Sequence, residues 1–167
     1  MTFQVQSESP EDWDGIRAVH LAAFPTAAEA DLVKMLHDDC DSEISLVARD
    51  GARVIGHVLL SRMKVEGDGR SYRALGLGPV AVHPTLQRQG VGRALIDEAM
   101  RLAEKRREEI VFLVGEPQYY RRFGFSAEAA APFASPYAGP YFMAKCLGAP
   151  LPVSGTAAYA PAFSKLS

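Results

Sequence analysis

Apolar positions change their spacing several times along this chain, and each change marks an element. Phe3 to Gln6 alternates apolar and polar side chains, as a short half-buried strand does. Ser9-Pro10-Glu11-Asp12 then supplies a helix start, with a proline and acids in the first turn. Trp13, Ile16, Val19 and Ala23 follow as one helical face. Phe24-Pro25 interrupts it, and Thr26 with Glu29 three residues on reads as a capping box for a second helix carrying Leu32, Met35 and Leu36. Branched residues dominate Ser45 to Ala48 and Val54 to Leu60, and Arg49-Asp50-Gly51-Ala52 between them is a hairpin signal. A turn at Gly67-Asp68-Gly69 leads into a strand from Tyr72 to Val82. Helical spacing returns from Gly92 to about Arg107, with Leu95, Ala99, Leu102 and Ala103 facing inward. Ile110 to Val114 is uniformly apolar, as buried strands are. Pro117 opens a short helix that runs through Phe123 and ends at Gly124, and Tyr141 to Leu147 reads as the last core strand. Gly148-Ala149-Pro150-Leu151-Pro152 then looks like a linker to a short terminal segment, Tyr159 to Phe163.

Strand, long helix, strand implies a parallel crossover, while the earlier hairpins are antiparallel. The expected fold is therefore α/β (α+β), with a mixed central sheet flanked by helices. Leu77-Gly78-Pro79-Val80 adds a detail, because a proline cannot donate a ladder hydrogen bond. The sheet is expected to bulge and splay there. One domain over residues 1–147 and an extension over 148–167 packed on it account for the whole chain.

Composition narrows the function classes. With 48% hydrophobic residues a core can form, and a net charge of −2 leaves no general footprint for nucleic acid or an anionic membrane. Cys40 and Cys146 match no zinc or CxxC spacing and read as reduced structural thiols; no metal is expected. The N-terminal stretch has no leader pattern and no segment approaches the ~20 apolar residues of a membrane span, so a cytoplasmic protein is expected.

The stretch with most chemistry is Val82-His83-Pro84 followed by Gln87-Arg88-Gln89-Gly90-Val91-Gly92-Arg93 and a helix. Gly90 and Gly92 permit a tight turn, and the first helical turn leaves N–H groups without partners beside a partial positive charge. These are the ingredients of a phosphate or pyrophosphate site, although the same glycines also suit a plain strand-to-helix turn. The GK[ST] of a P-loop and the spacing of GxGxxG are both absent.

Residues 87–92 match the [QR]xxGx[GA] signature of the GNAT superfamily of N-acetyltransferases. Tyr119-Tyr120-Arg121-Arg122-Phe123-Gly124-Phe125 resembles its FYxxxGF element, in the right order around a strand. The resemblance spans most of residues 3–147, and Phe24 to Leu36, Leu113 to Phe125 and Tyr159 to Phe163 further resemble the small bacterial YhbS-like branch. It implies acetyl-CoA as donor, with the pyrophosphate on the backbone amides of residues 88–93 and the pantetheine arm along Val80, Ala81 and Val82. Many members place an Asn and a small residue before FYxxxGF; here that interval is Gly115-Glu116-Pro117-Gln118.

The resemblance puts Tyr120 in the position of the general acid for the departing thiolate; its alternative is a half-buried aromatic with a satisfied hydroxyl. The base is open among Glu29, Glu116 and His83, each with a capping or solvated-loop alternative. Glu29 lies in the helix-turn region that lines the acceptor side in the superfamily. The acceptor would be a primary amine: a small molecule, a peptide N-terminus or a lysine. The superfamily also admits a homodimer, since its members are often dimers. A rival of another class is a non-catalytic acyl-CoA-binding or sensor domain, which thiol release from acetyl-CoA would separate.

Overall fold

The computed structural model describes residues 1–166. Ser167, the last residue of the C-terminal extension, lies outside the described residues. Strand β1 (Gln4–Ser7) is followed by a 3-10 turn at Pro10–Asp12 and helices α1 (Trp13–Ala23) and α2 (Ala28–Asp38). Strands β2 (Ser42–Asp50), β3 (Arg53–Gly67) and β4 (Arg70–Val82) form an antiparallel meander, and α3 (Val91–Lys105) crosses over to β5 (Ile110–Val114). Helices α4 (Pro117–Tyr120) and α5 (Ala127–Ala130), then β6 (Phe133–Ala134), β7 (Phe142–Cys146) and β8 (Gly155–Ala158), complete the chain. The main sheet runs β1-β2-β3-β4-β5-β7 and is antiparallel except between β4 and β5.

Two local readings are revised. Thr26 and Glu29 form no capping box: Thr26 Oγ1 accepts from the N–H of Ala28 instead. The reciprocal box lies earlier, where the N–H of Ser9 bonds to the Asp12 carboxylate at 2.9 Å. The terminal segment is also more than a linker and a short end. β8 pairs with Lys64–Gly67 of β3, on the edge that β2 leaves after Ser61, and β6 joins it in parallel.

The bulge expected at Gly78-Pro79 is present. Val58 pairs with Val80 and Leu60 with Leu77, so Gly78 and Pro79 together face the single residue Leu59. The ladder from β4 to β5 covers only Ala74–Gly76 opposite Ile110–Phe112. Beyond Gly76 the two strands part, and Leu77 to Val82 present an open edge to the fork.

Each face of the sheet has its own core. α3 lays Leu95, Ile96, Ala99 and Ala103 on Leu46, Val58, Leu60, Leu75 and Val111, all nearly fully buried. At about 1.5–3 kcal/mol for each large side chain removed from water, this layer fixes the position of the α3 N-terminus. On the opposite face Leu32 and Leu36 of α2 pack with Leu59, Ala160 and Ala162. Past α3, the buried carboxylate of Glu108 binds Arg62 at 2.7 and 3.2 Å and Arg73 at 3.0 Å, while Arg106 stands 3.7 Å away. That cluster ties the crossover to β3 and β4.

Candidate active site

The loop between β4 and α3 is held by its own side chains. His83 Nδ1 accepts from the N–H of Thr85, and the Gln87 amide donates back to the Val82 carbonyl at 3.2 Å. Arg88 and Gly90 both have positive φ, 64° and 86°, which turns the backbone sharply on each side of Gln89. Ala94 makes the first bond of α3, to the Gly90 carbonyl at 3.0 Å. The N–H groups of Val91, Gly92 and Arg93 therefore start the helix without intrahelical acceptors. The Arg88 and Arg93 side chains stand out in solvent beside them. A Cβ on Gly92 would meet the Tyr119 hydroxyl at 3.3 Å and Val82 at 3.6 Å, so the missing side chain leaves room over the first turn. The arrangement suits a pyrophosphate held by backbone amides, with an extended arm lying along the open edge of β4 at Val80, Ala81 and Val82.

The Tyr119 hydroxyl, to which the sequence reading gave no role, stands at the helix start itself. The signal was present in the motif, where a tyrosine occupies the phenylalanine position of FYxxxGF. The half-buried Tyr120 ring packs against Gly115, filling the space a side chain there would take, and meets Tyr119 edge-on, with centroids 5.0 Å apart. Burial, and to a lesser degree Tyr119, pushes its phenol up to about 12. It is therefore protonated throughout the neutral range.

The three base candidates differ in what already occupies them. Glu116 caps α4 by accepting from Gln118, and His83 is engaged with Thr85. Glu29 Oε1 is buried without a hydrogen-bond partner. Glu29 lies one turn before Leu32, on the side of α2 that packs towards Leu59 and Ala160.

A chain of buried histidines was missed by sequence reasoning. His20 Nε2 of α1 lies 2.8 Å from Nδ1 of His57 on β3, and His57 Nε2 lies 2.8 Å from Ser45 Oγ on β2. Both rings are fully buried. Burial holds His20 down at about 4, and burial followed by the neighbouring His20 holds His57 well below the ordinary histidine range. Phe24, in the turn between α1 and α2, stacks on His20 at 5.9 Å. The available clue was His57 itself, a polar residue inside the apolar run Val54 to Leu60. His20 also lines a cavity of about 230 Å³ between α1 and α2, over Ile16, Ala30, Val33 and Leu59.

Among the described residues no helix is long and apolar enough to cross a membrane, and no cluster of His, Cys, Asp or Glu could hold a metal ion.

Comparison with known proteins places this geometry in context. The Acetyltransferase (GNAT) domain family matches residues 4–127. The uncharacterized N-acetyltransferase YjhQ of Escherichia coli (strain K12) is 36% identical over 126 residues, covering 74% of this chain and 68% of that protein. The uncharacterized N-acetyltransferase YhbS of the same strain is 34% identical over 126 residues, covering 75% and 74%. A crystal structure of E. coli YhbS in complex with CoA superposes with a TM-score of 0.86 at 28% identity, covering 99% of this chain and 93% of that one. A GNAT family acetyltransferase from Brucella melitensis in complex with acetyl-CoA gives a TM-score of 0.81 at 30% identity, covering 97% and 98%. A two-glycine loop capping α3, a tyrosine pair behind it, strands that part beside it and a family match across most of the chain lead to one conclusion: this protein belongs to the GNAT acetyltransferase family.

Proposed function

We propose that this chain transfers an acetyl group from acetyl-CoA to a primary amine by direct transfer in a ternary complex. The observation that carries the reading is the coincidence of two features along β4. Its ladder with β5 stops at Gly76, and its far end feeds a loop that aims the start of α3 at the open edge so created. The complexes of YhbS with CoA and of the Brucella enzyme with acetyl-CoA support the choice of donor.

Acetyl-CoA supplies an activated acyl thioester. Residues 88–93 hold its phosphates, and Val80 to Val82 align its arm, so that much of the acceleration comes from placement, for which roughly 7–11 kcal/mol is available. Glu29 takes a proton from the attacking amine, directly or through a water, with the buried Oε1 as the receiving atom. Tyr120 faces the departing sulfur. Its phenol at about 12 is a weaker acid than a thiol at ~8.5, so the hydroxyl acts chiefly by donating a hydrogen bond to the developing thiolate. The balance closes with one N–C bond formed, one C–S bond broken, the amine proton passed from Glu29 to water, and the released thiolate protonated in turn by water.

Calorimetric titration with CoA, followed by thiol release from acetyl-CoA against amino acids, polyamines, peptide N-termini and lysine peptides, tests the proposal. Micromolar CoA binding with release dependent on one amine class is the expected result. CoA binding without release for any amine would reduce the chain to a CoA-binding domain, and no CoA binding would remove the donor assignment.

A further inference from the structure

We infer that Tyr159, carried by the C-terminal segment, closes the acyl end of the donor slot and restricts the transferred group to acetyl. The inference rests on the acetyl-CoA reading and concerns the opposite end of the same slot from the phosphates. A donor anchored at residues 88–93 runs back along β4 from Val82 towards Leu77, an open edge of about 16 Å at ~3.3 Å per residue. Its tip therefore arrives at the fork where β4 and β5 meet. The last pair before the fork is Gly76 with Phe112.

Tyr159 sits on that residue. A Cβ added to Gly76 would lie 2.6 Å from Cε1 and 2.9 Å from Cδ1 of its ring, so glycine is required for the ring to reach the strand. Phe163 packs against the ring at 4.8 Å and Tyr137 edge-on at 5.3 Å. The backbone on either side is fixed as well, by β8 pairing with β3 before it and by Ala160 and Ala162 docking under α2 after it. The face of β4 at the base of the fork, on the side away from α3, is thus covered by an immobilised aromatic ring rather than a flexible side chain.

Its chemistry is equally selective. The Tyr159 hydroxyl is buried with no partner, and so is that of Ser61, which pairs with Gly76 across the strand. An acyl chain long enough to reach this face would collide with the ring and bring hydrocarbon against unpaired hydroxyls. A methyl group at the tip meets neither obstacle. Volume and polarity both favour the shortest acyl group.

The test compares acetyl-, propionyl- and butyryl-CoA in thiol release with an amine the wild type accepts, and in calorimetric binding without amine. For the wild type kcat/KM should fall roughly 10- to 200-fold per added methylene. Tyr159→Ala should bring butyryl-CoA to within about tenfold of acetyl-CoA in both readouts, a contraction of at least about tenfold from the ~10²-fold or more that two methylenes cost the wild type, while free CoA binds as before. Tyr159→Phe keeps the ring and should retain most of the acetyl preference. If circular dichroism shows Tyr159→Ala unfolded, Tyr159→Val, which preserves apolar bulk in the aromatic cluster, carries the same expectation. A folded Ala or Val variant with the wild-type ratios overturns the inference, as does a wild type that uses the three donors equally. Loss of CoA binding by the wild type would instead fell the parent reading and this one with it.

Discussion

Acidification from pH 7 to pH 5 should weaken the fold by about 2 kcal/mol through His20 alone. Burial holds this imidazole at about 4 in the folded chain against 6.5 when exposed. Between those values the unfolded chain binds a proton that the folded chain does not, so stability is complete above pH 6.5 and is lost progressively as the pH falls towards 4. At pH 5 the fall has covered about 1.5 pH units, each worth 1.36 kcal/mol, and near pH 4 it approaches about 3 kcal/mol. His57 is depressed too and adds in the same direction. The carboxylates of Glu43 and Glu109, held low chiefly by arginine and backbone partners against the cost of burial, lose their contribution only at more acid pH, so the window from 7 to 5 reports the histidines. Urea unfolding followed by circular dichroism at pH 7, 6 and 5 measures the slope. His20→Gln, which can still hydrogen-bond to His57 but cannot titrate, should be less stable at pH 7 and should lose about 2 kcal/mol less than the wild type on acidification. Equal wild-type stability at pH 7 and 5, or an undiminished drop in the Gln variant, would show that His20 takes up its proton inside the fold and that the burial argument is wrong.

Tyr120→Phe keeps the ring against Gly115 and removes the hydroxyl, so kcat should fall by about 10²-fold, the low end for losing one hydrogen-bond donor to a developing anion, with the CoA dissociation constant nearly constant. Tyr119→Phe takes a hydroxyl from the start of α3 and should weaken CoA binding several-fold in calorimetry while kcat holds; a loss confined to kcat would reverse the two assignments. Gly90→Ala meets no atom within 4 Å but must hold φ near 86°, so it should cost stability, roughly 1 kcal/mol in thermal or urea unfolding, whereas Gly92→Val intrudes on Tyr119 and Val82 and should cost CoA affinity in a folded protein. Glu108→Ala leaves Arg62, Arg73 and Arg106 around an empty centre and should destabilise by about 2–4 kcal/mol, below the full range for a buried pair because the guanidinium groups reach water.

Local chemistry was legible where a residue type leaves the backbone few options. Pro79 in a strand announced the bulge, Asp50-Gly51 the hairpin, and Gly124, at φ 92°, the end of the helical segment before it. The donor loop was legible for the same reason, since its glycines and the apolar face of α3 are consecutive in the chain. The face of the sheet opposite α3 resisted because it is assembled from distant segments. His20 and His57 are 37 residues apart, and nothing in their spacing states that they touch. Tyr159 meets Gly76 only because β8 returns to the edge of β3, and Gly155-Thr156-Ala157-Ala158 is too short and too small to announce a strand. Thr26 and Glu29 had the spacing of a cap, but the helix begins so that Thr26 serves Ala28 and Glu29 is released.

The return of β8 to β3 bears on how such a molecule can diverge. The core beneath α3, which sets the donor loop, draws its buried residues from Ile44 to Met143 and takes none from the final strand. The terminal segment packs with α2, Leu59 and the fork on the opposite face. Changes in the two regions share few partners, so their effects on stability and on donor affinity should be close to additive. Sequence change can then accumulate in the last dozen residues while the loop between β4 and α3 keeps the core that positions it.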